Sequence, residues 1–215
     1  MTATTVPAPT IDRRARIGAL GGALWTLFPL AFGLVHLEET AFGTPEFFAV
    51  AASYWLLGVL PPVLLVVGHR ALENALGPAA GKAGRVGLAL AAVGLGAMAI
   101  GNGIEVGSMT VGGGEVAAGH AVFLLGFLVS VVAGVLLGVV VVRRRDDGLA
   151  RVAGLVLALA LPLGIGIAVL GSSLGSQNDG WFFAAITVPT GLAWLLLGTA
   201  LRSGRRPATE LAPAS

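Results

Sequence analysis

The chain has 215 residues, of which 56% are hydrophobic and only 11% charged, with a formal net charge of +2. Soluble domains carry about 25% charged residues, so this chain cannot cover a water-facing surface; a soluble enzyme, a disordered regulator and a nucleic-acid-binding module are excluded. The mean hydropathy of +0.91 and the absence of cysteine point to an all-α integral membrane protein with no disulfide, zinc–thiolate site, iron–sulfur cluster or thiol nucleophile.

Residues 1–16 read as a disordered cytoplasmic tail, rich in Thr, Pro and Ala and closed by Arg13, Arg14 and Arg16. Six apolar runs follow, each near the length of about 20 residues that a membrane helix needs: Ile17–Leu37, Phe47–His69, Val86–Gly107, Val116–Val142, Val152–Ser173 and Trp181–Leu201. Residues 202–215 read as a second disordered cytoplasmic tail. The first run has signal-peptide-like arginines before it, but its length and the lack of a small-x-small cleavage site favour an uncleaved span. The fold expected is a six-transmembrane-helix bundle over residues 17–201. Arg16, Arg85 and Arg151 each open a small-residue helix that crosses and returns to Arg70, Arg143 or Arg202, so three tandem helical hairpins are one reading of the pattern.

Orientation follows from the basic residues. All 13 Lys and Arg fall in the two tails and in the loops after spans two and four, which lie on one side of a six-span chain. Both termini are therefore expected to be cytoplasmic, in a multi-pass protein of the cell membrane. The Ala, Gly, Val and Arg bias suggests a GC-rich bacterial genome.

Glycine numbers 33. In lipid, small residues let helices approach closely, and the pairs Gly18/Gly22 and Gly134/Gly138 are expected to face neighbouring helices. Pro29, Pro61, Pro62, Pro162 and Pro189 lie within spans and are expected to kink them.

The opposite side is acidic. Glu38, Glu39, Glu46, Glu105, Glu115 and Asp179 lie there with no Lys or Arg beside them, a distribution that concentrates cations and protons. A carboxylate at membrane depth is a functional-site candidate, and Glu105 is the deepest. Asn102 lies three residues before it on the same helix face, flanked by Gly101 and Gly103, which are expected to loosen the helix there. His36 and Glu39 form a second pair at the same spacing, and His120 sits about one turn inside the fourth span. Asn178 and Asp179 could close the ring. The last histidine, His69, reads as an interfacial residue beside Arg70.

One outward-open site is therefore expected, built from His36, Glu38, Glu39, Asn102, Glu105 and His120, with Asn178 and Asp179 as polar lining. Proton- or cation-linked transport, or an accessory role in transport, is the leading reading. A structural membrane subunit with no site of its own is the alternative from another class. His36, Glu39, Glu105 and His120 could also hold a metal ion, and His36 with His120 could hold haem b in a redox protein. Glu39 or Glu105 could serve as the acid of an enzyme acting on a lipid or isoprenoid. No His-Glu-x-x-His or Gly-x-Ser-x-Gly sequence is present, and no Lys lies within a span to form a Schiff base. The partner expected for every reading is membrane lipid, with a second copy or a membrane-complex partner left open and nucleic acid excluded.

Overall fold

The computed structural model describes residues 8–32, 37–114, 116–174 and 180–203. Among these the secondary structure is helical throughout, with no strand. The helices are α1 (Ala8–Thr26), α2 (Phe28–Phe32), α3 (Pro45–Tyr54), α4 (Leu60–Leu76), α5 (Gly81–Thr110), α6 (Ala117–Arg144), α7 (Gly148–Ala158), α8 (Ala160–Ser173) and α9 (Gly180–Ser203). Three helical stretches are long and apolar enough to cross a membrane: the 66-residue run Pro45–Thr110, then α6 and α9. The pair α7–α8, bent by 64°, is a fourth if counted as one span. Large apolar side chains such as Leu125, Leu128, Val93, Ile100 and Val169 stand exposed along these helices. In water such a surface would mark a binding site or an aggregation hazard; here it is what lipid solvates.

Local chemistry explains most boundaries. Thr44 caps α3 by accepting the Phe47 N–H at 3.2 Å, with Pro45 in the first turn and Glu46 beside the positive end of the helix. Asp147 caps α7 in the same way, accepting the Leu149 N–H at 2.9 Å. A short 3-10 turn, Gly77–Ala80, joins α4 to α5. Gly77 (φ 48°) and Gly81 (φ 63°) hold its two ends in the left-handed region that a side chain would disfavour.

The prolines act unevenly. Pro29 follows the break at Leu27, and Pro162 follows the break at Leu159 where α7 and α8 bend. Pro61 and Pro62 open α4 directly after a π-helical turn, Trp55–Val59, that divides it from α3. Pro189 does not interrupt α9. It removes the N–H that would serve the Ala185 carbonyl, and that carbonyl faces Gly164 of α8.

Glycine sets how the helices meet. A Cβ on Gly18 would lie 2.8 Å from the Cα of Gly68, and one on Gly22 would lie 2.6 Å from the Gly191 carbonyl oxygen. These contacts put α1 antiparallel to both α4 and α9. Gly138 lies against Gly154 and Ala158, and Gly134 against Leu157, so all four of the expected packing glycines face a neighbour. A longer seam joins α5 and α6. Gly94 faces Gly126 and Gly101 faces Gly119, each pair reciprocal, and Gly87 carries the row on against Leu136 and Leu137. The glycines recur every seventh residue on each helix, the period that keeps one seam facing a partner along its length.

Several expectations need correction. The first helix starts at Ala8, not Ile17, so the arginine segment read as disordered tail is helical from that residue onward. Within this segment Asp12 pairs with Arg16 one turn later at 2.7 Å and reaches Arg202 of α9 at 3.5 Å. The same charges keep α1 off the set of helices apolar enough to span. The helix does not loosen at Gly101–Gly103; it runs unbroken to Thr110, because Gly101 serves the close approach of α6. Residues 33–36, within the expected first span, lie outside the described residues.

Candidate functional site

The acidic end of the molecule is organised around α5. Its last turns carry Asn102, Glu105 and Val106. The short helix after residue 36, Leu37–Glu39, packs on α3, and its Leu37 joins Phe47, Ala51, Tyr54 and Val106 of α5 in a small buried cluster. Beside it lies a cavity of about 420 Å³ lined by Leu37, Thr40, Phe42, Phe47, Met109 and Gly112–Gly114. The α5–α6 turn is closed by Gly112 (φ 82°) and by the Gly113 N–H donating to the Ser108 carbonyl at 2.9 Å.

Glu105 and His120 meet across the α5–α6 seam. His120 Nδ1 lies 3.4 Å from Glu105 Oε1, with the Glu105 side chain 14% exposed and the His120 side chain 57% exposed. The contact follows from the glycines. Gly101 packs on Gly119 and Phe123 and leaves the two backbones in touch. His120, one residue after Gly119 and in the first turns of α6, then stands level with Glu105, one turn after Gly101. A carboxylate and an imidazole at this distance can share a proton. Moving it between them leaves the net charge of the pair unchanged, so transfer within the pair avoids the large cost of isolating a charge away from water.

Asn102 has another task. It is 5% exposed, and its Nδ2 donates to the Gly58 carbonyl at 2.8 Å, 44 residues away in sequence. Gly58 lies in the π-helical turn four residues before Pro62, which has no N–H to offer that carbonyl. In lipid an unsatisfied backbone carbonyl costs several kcal/mol, and the Asn102 amide supplies the missing donor. Trp55 of the same turn donates through Nε1 to Thr110 Oγ1 at 3.2 Å, pinning the far end of α5.

Of the residues expected to converge, Glu105 and His120 do so. Asn102 lies one turn below them with its amide nitrogen committed to Gly58. Glu39 is exposed, and no contact ties it to the pair. His36, Glu115, Asn178 and Asp179 lie outside the described residues, and of Glu38 only the backbone is described. Glu105 and His120 offer two ligand atoms to a metal; among the described residues no group of three His, Asp or Glu assembles. The second axial ligand of the haem reading, His36, is one of the residues not described.

His69, expected as an interfacial residue beside Arg70, is 2% exposed within the protein, and its Nδ1 is buried without a hydrogen-bond partner. The available signal was Gly68 next to it: a glycine inside an apolar span marks close packing, and Gly68 is where α4 meets Gly18 of α1. Comparison with known proteins gives no match: no family model, curated protein or solved structure resembles the chain.

Proposed function

We propose that the chain is a six-span protein of the bacterial cell membrane with both termini cytoplasmic, and that Glu105 and His120 form an outward-facing site for proton- or cation-linked transport. Six crossings are supported by three observations. The run Pro45–Thr110 turns back on itself at Gly77 and Gly81, and at 1.5 Å per residue a straight helix of that length would be over three times the hydrocarbon thickness of about 30 Å. The bent pair α7–α8 is long and apolar enough for one crossing when counted as a single span. The first helix is apolar from Ile17 onward, and its charges sit at one end, level with Arg202. The 13 basic residues then fall on a single side.

One observation carries the transport reading: the largely buried Glu105 carboxylate is held against a half-exposed imidazole. His120 can take a proton from water and pass it to Glu105, which water alone reaches poorly, and the Glu105 carboxylate is the oxygen ligand of the pair for a cation. The acidic residues that the sequence puts toward this side, with no Lys or Arg beside them, raise the local concentration of either. The test is flux into proteoliposomes loaded with a pH-sensitive dye, under an imposed proton or sodium gradient. Wild-type protein should carry flux, Glu105→Gln should abolish it, and His120→Ala should slow it. A wild-type protein that carries none, correctly inserted, overturns the reading.

A structural subunit is the second reading, favoured by the Asn102–Gly58 bond and the α5–α6 seam, both of which hold helices together with no ligand. It predicts that Glu105→Gln changes thermal stability and leaves flux at the level of empty vesicles in both proteins.

A further inference from the structure

The basic end of the groove between α4 and α5 holds a cavity of about 570 Å³ lined by His69, Arg70, Glu73 and Gly77 on one side and Arg85, Leu88, Ala89 and Ala92 on the other. We infer that this cavity binds the phosphodiester head group of an anionic glycerophospholipid, with Arg85, Arg70 and His69 as the donors. This inference is independent of the transport reading.

Three features carry it. First, the donors are in place and not all are used. Arg70 is paired with Glu73 at 2.7 Å, but Arg85 has no ion pair among the described residues, so the cavity keeps one unneutralised guanidinium. Second, His69 is buried on this same wall with its Nδ1 unpartnered. Buried polar atoms are nearly always satisfied; the Nδ1 is closed off from the cavity as it stands, and a turn of the imidazole toward the cavity would bring it to a phosphodiester oxygen. Third, the floor of the cavity is apolar. Leu88, Ala89 and Ala92 lead up α5 toward Val93, which is 64% exposed. An acyl chain attached to the head group has an apolar surface to lie on, which free phosphate cannot use. The volume fits a glycerol-linked head group and lies in the ordinary range for ligand sites, and basic pockets between membrane helices on the positively charged side are where anionic head groups lodge.

The experiment uses the full chain purified in non-ionic detergent, with thermal unfolding followed during titration with phosphatidylglycerol, phosphatidylcholine or inorganic phosphate. Phosphatidylglycerol should raise the melting temperature of the wild type, and the other two should not. Arg85→Gln should weaken that response by about tenfold, the effect of losing one charge-assisted hydrogen bond. Arg151→Gln removes an exposed arginine that does not line the cavity and should respond as wild type. His69→Gln, which keeps a donor, should retain more of the response than His69→Leu. If His69→Leu does not fold, the arginine pair still decides the matter. Equal stabilisation by inorganic phosphate would overturn the lipid assignment in favour of a free anion. Equal losses in Arg85→Gln and Arg151→Gln would overturn the site altogether, because general surface charge would then explain the binding.

Discussion

Along α6, helix α5 packs backbone to backbone at Gly94–Gly126 and Gly101–Gly119, whereas along the basic end of α4 it stands off and leaves a cavity of about 570 Å³. Polar groups fare differently at the two ends of α5. At the acidic end they are matched on both sides, Glu105 with His120 across the seam and Asn102 with Gly58 of the π-helical turn that leads into α4. In the open groove His69 is buried with an unmatched nitrogen. Close packing in lipid forces each polar atom to find a partner within the protein. Where helices separate, a polar atom can wait for a partner from outside.

The sharpest way to break this contrast is to widen the seam. Gly101→Ala would set a methyl 2.6 Å from the Gly119 carbonyl oxygen, and Gly126→Ala would set one 2.7 Å from the Gly94 carbonyl oxygen. Each should cost about 1–3 kcal/mol, read as a lower melting temperature in detergent. Gly96 is the internal control, since nothing lies within 4 Å of its added Cβ. Gly96→Ala should be neutral or stabilising by up to about 1 kcal/mol, from helix propensity. Equal effects at Gly96 and Gly101 would remove the seam from the account.

The next effect concerns matching. Asn102→Ala strands the Gly58 carbonyl and should cost about 1–3 kcal/mol. Pro62→Ala restores the N–H that this carbonyl lacks. In that background Asn102→Ala should therefore cost less, by about 1 kcal/mol. A double-mutant cycle measures this directly, and identical costs in both backgrounds would show that Asn102 does not stand in for the proline.

Smaller still is the stability effect of the Glu105–His120 pair. His120 is 57% exposed, so the pair is worth about 1 kcal/mol or less, and Glu105→Gln should unfold within a few degrees of wild type. Loss of flux without loss of stability separates a working site from a helix clamp. The smallest effect is expected at Asp12→Asn. Its partners Arg16 and Arg202 are both well exposed, and the cost should be a few tenths of a kcal/mol, detectable only in low salt.

Much of this protein could be read from its residues alone. Long apolar runs with almost no charge can only be helices solvated by lipid, because the bilayer offers no partner for an open backbone. Gly18, Gly22, Gly134 and Gly138 announced close contacts, since nothing else brings two helix backbones together without a hydrophobic drive. Glu105 stood out because a carboxylate in such a run is costly. Spacing along one helix says which residues lie on neighbouring parts of its surface, and on that ground Asn102 and Glu105 were paired. It does not fix what that surface meets. The rotation of each helix about its axis is set by glycines on the partner, and only that rotation put His120 beside Glu105, gave Asn102 to a carbonyl 44 residues away, left Glu39 exposed and turned His69 into the wall of a cavity.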